Sequence, residues 1–578
     1  MDKSQFNGGI YLVDFEFNQP GGKNGNKPDP VCMVVRDWST GATKRYWQDE
    51  LRKMPRAPYP TGAGALTVAF YASAEMDCFH ELGWVAPQNV LDIYAEFRCH
   101  TNGLILANGK GLLGALLYFG LPTIGGEQKD VMRDLILKGG PWSSAEELAI
   151  LDYCETDVVG LANLLSAMWE KIDLPRALLR GRYVKAVSCI QMIGVPLDID
   201  IFEKLTPQWA SIKDQLIAEI DLDYGVYVEG TFKIELFEAY LAANDIPWPR
   251  LPTGRLDLKD ETFRQMSKCY LQVSAIRELR SSLSALRLAK LQVGDDGRNR
   301  CMLSPFSSRT GRNQPSNAQF IFGPSVWLRG LIRPAPGWAL AYVDWSQQEF
   351  GIAAALSGDP NMIAAYLSGD PYIAFAIQAG AAPPGATKQT HEAIRNQFKA
   401  CVLAVQYGMG EERFATDIGQ PIERARQLLT LHRITYRRFW EWSDSAVDQA
   451  VLGGQLWACF GWKIQVSGKI NDRSLRNFPM QANGAEMLRI ACFLLADQGI
   501  RVCAPVHDAL LIEAPIGEIE DTVAKTQAIM REASAAVLDG FELGSEAKII
   551  RYPDRYMDPR GIKMWDTVMR LIGGPETV

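Results

Sequence analysis

The stretch "WALAYVDW", residues 338–345, places the tightest limit on what this chain can fold into. Trp338, Leu340 and Tyr342 alternate with Ala339, Ala341 and Val343, so both faces of a strand made from them are apolar. Such a strand belongs inside a sheet that is covered on both sides. Asp344 follows where the apolar run stops, so the sheet carries a carboxylate at its end. The rest of the chain must supply the cover, and 578 residues is length for about four domains or subdomains.

Composition narrows the partners more than the fold. The chain is 47% hydrophobic and 22% charged, without a low-complexity tract, as ordinary globular domains are. No uninterrupted apolar run reaches the roughly 18 residues of a membrane span. The start "MDKSQFNGGIYLVDFEF" has no basic segment ahead of a long apolar one, so the chain reads as cytoplasmic with no membrane partner. Its 11 cysteines form no Cys-x-x-Cys pair and only 5 histidines accompany them, which points to reduced, mostly buried thiols rather than zinc fingers. A net charge of −7 and a pI of 5.6 leave any phosphate binding to local patches of cations. One such patch, residues 263–290, sets Arg264, Lys268, Arg277, Arg280, Arg287 and Lys290 against the single acid Glu278. Taken alone it reads as a solvated helix face.

To about residue 172 strands and helices alternate. "GGIYLVDFEF" and "LTVAFYA" are strands, and a long amphipathic helix starts at Ser143 or Ser144 as N-cap, with Glu146 and Glu147 in its first turn. "DLPRALLRG" is a junction; helical patterns then dominate to about residue 305, and the remainder mixes helices with strands around Asp344 and residues 500–514. Asp14 and Glu16 are two apart on a strand, so their carboxylates leave the same face with Cα atoms ~7 Å apart. An acidic pair like this is either a solvated face or a divalent-cation site. Asp77 follows a strand in "FYASAEMDCF", and Tyr153 and Asp157 share one helix face. In order, these residues resemble the tyrosine-bearing DEDD-type 3′-5′ exonucleases. The resemblance implies an RNase H-like domain at 1–172, with Asp14, Glu16, Asp77 and Asp157 holding two metal ions and Tyr153 orienting the attacking water. Ser73 and Met76 depart from that pattern, where Asn and an aromatic residue are usual.

Further along, "VDWSQQEF" resembles motif A of the family A DNA polymerases, the type of bacterial DNA polymerase I. "IRNQFKACVLAVQYGMG" resembles motif B, with Arg395, Lys399, Leu403 and Tyr407 four apart along one helix, and "APVHDALLIEAP" resembles motif C. The resemblance implies a right-hand polymerase over 173–578: thumb at approximately 200–305, palm at 306–360 and 470–578, fingers at approximately 361–469. Asp344 and Asp508 are then the metal-binding acids. Gln347, Glu349, His507, Arg395, Lys399, Leu403 and Tyr407 face the nucleotide, Glu349 as a steric gate against a ribose 2′-OH. Arg312, Arg473, Asn477 and Gln481 contact primer-template DNA, the last three reaching the minor groove, while Arg277, Arg280, Arg287 and Lys290 hold the duplex backbone from the thumb. Ala509, Leu403, Gly351 and Tyr372 stand where the family usually has Glu, an aromatic residue, Arg and His, so nucleotide selectivity is expected to differ from the bacterial enzyme's.

The whole is an α/β and α+β multidomain protein, expected to act as a DNA-templated DNA polymerase with a proofreading 3′-5′ exonuclease. Two Mg2+ serve each active site, with Mn2+ as a substitute, and the partners are primer-template DNA, a single-stranded DNA 3′ end and dNTPs. With no 5′-nuclease domain ahead of residue 1, the expectation is a monomeric, phage-type replicative enzyme in a bacterial host cytoplasm. The alternative is a 3′-5′ exonuclease with a non-catalytic primer-template-binding module, which the retained Asp344, Arg395, Lys399 and Asp508 disfavour.

Overall fold

The computed structural model describes residues 5–19, 25–123, 126–251, 253–285, 290–323, 325–406, 408–466 and 471–573. Arg287 and Tyr407 therefore lie outside the described residues. The N-terminal unit is built on a five-stranded sheet: β1 (Gly9–Asn18), β2 (Asp29–Asp37), β3 (Thr43–Trp47), β4 (Ala65–Ala69) and β5 (Val90–Asp92), in the order β3-β2-β1-β4-β5. The β1–β2 and β2–β3 pairs are antiparallel, and β4 joins β1 and β5 in parallel. Leu12 and Val13, which point to opposite faces of β1, are both fully buried, so helices cover the sheet twice. On one face α1 (Ala72–Glu81) supplies Met76 and Phe79 against Val13 and Phe15. α2 (Gly126–Lys138) leads to α3 (Ser144–Met168), whose Ile150, Cys154 and Val158 pack on Leu12, Cys32 and Val34 of the other face. Ser143 is the N-cap of α3: its hydroxyl accepts from the Glu146 amide while the Glu146 carboxylate takes the Ser143 amide. That reciprocal box is the start signal read in the sequence.

α4 (Leu174–Ile193) belongs to both halves. Asp173 caps its start, Gly194 ends it, and it lies on α1 along one side and on the second large sheet along the other. Beyond it, α5 (Asp260–Cys269) and α6 (Ser274–Ala285) close around Phe237, Trp248 and Phe263, a core separate from the rest. Arg280, expected to hold the duplex backbone, is half-buried here, with its guanidinium 4.1 Å from the Phe232 ring centroid and 4.7 Å from that of Phe263. A planar, weakly hydrated cation stacks on aromatic faces in preference to standing in water. Arg277 is drawn to Asp260, 3.8 Å away, and among the described residues of this set Lys290 alone is exposed.

The second sheet starts with β6 (Trp338–Trp345), followed by α7 (Gln348–Ser357), α8 (Pro371–Gln378), α9 (Glu392–Gln406) and the long α10 (Asp472–Asp497). β7 (Arg501–Val506) and β8 (Ala509–Pro515) form a hairpin, α11 (Ile519–Val537) crosses back, and β9 (Ser545–Arg551) pairs on the far side of β6. The antiparallel order is β7-β8-β6-β9. Ala339, Ala341 and Val343 face the core that contains α10 and α11, while Leu340 meets the core of Trp327 and Trp565. The strand that was apolar on both faces thus sits inside a sheet covered on both sides. Among the described residues no helix is long and apolar enough to cross a membrane.

Candidate functional site

Asp344, the last residue but one of β6, pairs with Ala509 on one neighbour and Glu546 on the other. Asp508 immediately precedes Ala509 in the two-residue turn between β7 and β8, where His507 takes a left-handed φ of 60°. The register therefore delivers Asp344 and Asp508 to one end of the sheet. Burial, with Asp508 and Glu546 as like charges beside it, pushes the Asp344 carboxyl up to about 7. Its Oδ1 is buried and meets no hydrogen-bond partner among the described residues. An orphaned carboxylate oxygen between two further acids fits a divalent cation, for which oxygen ligands and negative charge are the requirement. Asp508 is also raised by burial, opposed by the Arg312 guanidinium, and Arg312 likewise opposes the upward push on Glu349.

A cavity of about 430 Å³ opens on these groups, lined by Arg312, Gln347, Glu349, Tyr372, Leu403, His507 and Asp508 among others. Six of the expected site residues, Arg312, Gln347, Glu349, Leu403, His507 and Asp508, are thus brought together from four separate segments. Arg395 donates to Asp370 at 2.5 Å, and both Arg395 (5.2 Å) and Lys399 (5.7 Å) lie over the Tyr372 ring. Tyr372 is therefore the platform for the two cations. Arg473, Asn477 and Gln481 form the accessible stripe of α10, whose following residues 482–493 are buried. Gly351 has no room for the Arg of the usual pattern: a Cβ there would come within 2.5 Å of Leu543 and 2.9 Å of Tyr366.

The N-terminal sheet carries a second acid cluster. Asp14, Glu16 and Cys154 bring ligand atoms within 4.8 Å of one another. Burial first, then Asp157, pushes Asp14 up to about 7, and the Cys154 thiol donates to its Oδ2 at 3.3 Å. Tyr153 and Asp157 project to the same place from α3; the Tyr153 phenol is raised by burial and by the Asp157 charge. Two residues here escaped the sequence reading. Lys129 of α2 sets its ammonium on both oxygens of Asp157, at 2.7 and 2.9 Å. Glu75 accepts from the Phe15 amide at 2.8 Å, between Asp14 and Glu16, and Asp14 adds to the burial that raises its carboxyl. Asp77, expected in this cluster, turns away: its oxygens accept from Ser188 (2.6 Å) and Gln191 (3.0 Å) of α4. β4 stops at Ala69, so the first turn of α1 stands beside the unpaired part of β1, and there position 75 faces the strand while position 77 faces α4. The oxygen donors of Asp14 and Glu16 fit a cation here as well, and Glu75 feels the charge of both.

The family model for DNA polymerase family A matches residues 257–545, half of the chain, and the chain belongs to that family. Among its relatives, the thermostable DNA polymerase I of Thermus thermophilus is 27% identical over 220 residues, covering 36% of this chain and 26% of that protein. The DNA polymerase of Mycobacterium phage L5 is 23% identical over 400 residues, covering 67% of this chain and 65% of that protein. The DNA polymerase I of Chloroflexus aurantiacus is 24% identical over 441 residues, 68% of this chain and 46% of that protein. The chain thus spans between 26% and 65% of the length of these relatives. In fold it is similar to the POL domain of Pol1 from M. smegmatis in complex with DNA primer-template and dNTP, with a TM-score of 0.70 at 17% identity over 95% of this chain and 96% of that one.

The charge pattern sets a pH dependence. Asp14 and Asp344 keep their protons in the folded metal-free protein up to about 7, whereas unfolded aspartate releases its proton near ~3.9. The folded state binds more protons between those values, so metal-free stability falls as pH rises through the window. Cation binding requires the ionised forms, so the rise in melting temperature produced by added magnesium should grow from about pH 6 to about pH 8. Thermal melts at several pH values, with and without the ion, check this; a magnesium effect that ignores pH contradicts it.

Proposed function

We propose that this chain is a DNA-templated DNA polymerase that extends a primer 3′-OH with dNTPs and also digests single-stranded 3′ ends. The meeting of Asp344 and Asp508 at one sheet end, over a cavity that Arg312, Glu349 and Tyr372 help to line, carries the reading. In the reaction the primer 3′-oxygen forms a bond to the α-phosphorus of the nucleotide and the bond to the β-phosphate oxygen breaks, releasing pyrophosphate. Asp344 and Asp508 would hold a pair of magnesium ions, which when bound would supply charge stabilisation and an acidified 3′-OH. Arg395 and Lys399, one turn apart on α9, take different phosphates and neutralise the leaving group. To do so Arg395 must release Asp370. Glu349 fills the space beneath the sugar at C2′. Asn477 and Gln481 run along the minor groove, where every base pair offers an acceptor. Primer-template DNA, dNTPs and a replicative role in a phage of a bacterial host are the matching partners and setting, supported by similarity to the phage L5 polymerase over 67% of the chain.

The N-terminal part, residues 1–172, is assigned as the 3′-5′ exonuclease and 173–578 as the polymerase. The sheet order β3-β2-β1-β4-β5 with an acid cluster on β1 supports an RNase H-like domain. Because Glu75 rather than Asp77 meets Asp14, Glu75→Gln should slow digestion of single-stranded DNA at least about tenfold more than Asp77→Asn. Equal losses, measured as release of 3′-terminal nucleotides, would return Asp77 to the cluster. The test of the whole reading is primer extension by the intact chain with four dNTPs and magnesium. Extension that a chelator stops is expected, and no extension under those conditions refutes it.

A further inference from the structure

Three amide atoms in the cavity over Asp508 are buried without a hydrogen-bond partner among the described residues: Oε1 and Nε2 of Gln348, and Nε2 of Gln406. Gln348 is 2% exposed and Gln406 is 6% exposed. Buried amides are nearly always paired, so two glutamines on different helices that face one cavity unpaired mark a place where a partner arrives. Gln348 occupies room that Gly484 of α10 leaves open, since a Cβ at 484 would lie 2.9 Å from its Oε1. An uncharged amide is a weaker partner for a triphosphate or a cation than Arg395, Lys399 and the aspartates, which already serve those. Gln348 adjoins Glu349, the residue beneath the sugar, and packs on α10 one turn beyond Gln481. An uncharged edge that enters at this level is the minor-groove side of the base pair being formed. Every such pair presents acceptors there, purine N3 or pyrimidine O2.

We propose that Gln348 and Gln406 are specificity-determining residues of the cavity, their side-chain amides donating hydrogen bonds to the purine N3 or pyrimidine O2 of the incoming base pair. This rests on the polymerase reading above. A base with the acceptor pairs a buried donor that a base without it leaves unpaired. The contribution is therefore discrimination rather than raw affinity.

The test is single-turnover insertion by the intact chain of dATP and 3-deaza-dATP, which lacks N3, opposite template T. Wild type should favour dATP at least about tenfold in kcat/KM. In Gln348→Met and in Gln406→Met the ratio should fall at least about threefold. Gly484→Ala, which crowds the Gln348 amide without removing it, should lower the ratio in the same direction and keeps the idea testable if a Met variant misfolds. Equal use of both nucleotides by wild type overturns the proposal, as does an unchanged ratio in the variants. A wild type that extends nothing refutes the polymerase reading instead, so the two failures are distinguishable.

Discussion

Asp344→Asn should reduce primer extension by more than about 100-fold, the scale of losing a group that holds a catalytic cation or a charge-stabilising donor. The same change should leave the metal-free protein at least as stable as wild type. Asp344 sits half-buried beside Asp508 and Glu546, with one buried oxygen lacking any donor among the described residues. Asparagine keeps its shape and removes the charge, and with it the repulsion that raises the carboxyl to about 7. Above neutral pH the variant should melt at a higher temperature than wild type without magnesium, and the magnesium-dependent gain should shrink. Primer extension and melts on the same preparations check both halves. Activity lost together with a lower metal-free melting temperature would mean that Asp344 serves the fold instead. Digestion by the N-terminal cluster should persist, because that cluster is built on a separate sheet.

Asp14→Ala should produce the opposite pattern, with release of 3′-terminal nucleotides falling by more than about 100-fold and extension of a paired primer retained. Asp14 is the hinge of its cluster. It shares a strand face with Glu16, takes the Cys154 thiol, and feels Asp157 across the gap to α3. Removing it takes a ligand from the centre, whereas Tyr153 and Asp157 approach from one side only. A gel assay with a single-stranded 5′-labelled oligonucleotide reads the loss, and a mismatched primer terminus should then persist during synthesis. Loss of extension as well would show that the change spreads through α4 into the second sheet.

Those two expectations concern residues that local spacing makes visible. Asp14 and Glu16 alternate on one strand face and Tyr153 and Asp157 share a helix turn, so the period of each element brings them together without knowledge of the rest. Asp344 and Asp508 end apolar strands, which is also a local signal. The misplacements came from long-range packing. Whether residue 75 or 77 meets β1 depends on where β4 stops and on how α4 rests against α1. Glu546 matters only because β9 pairs in register with Asp344, and nothing in "SEAKIIRYP" announces that partner. Arg280 was read as a surface cation because the ring it stacks on, Phe232, lies 48 residues away in the sequence. Lys129 left no signal, since a lysine in a polar helix is ordinary until its helix is docked. The unpaired amides of Gln348 and Gln406 become visible only when the surrounding atoms are in place.

Lys129 gives the two acid clusters different starting points. The first comes with a counter-ion tethered by its own chain, whose ammonium spans both oxygens of Asp157. In the second, Arg312 acts on Glu349 and Asp508, and no cation among the described residues offsets the upward push on Asp344. A magnesium ion entering the first must evict a rival, while one entering the second meets an open seat. In a titration with a divalent cation, the cluster of Asp344 should therefore fill at a lower concentration than the cluster of Asp14.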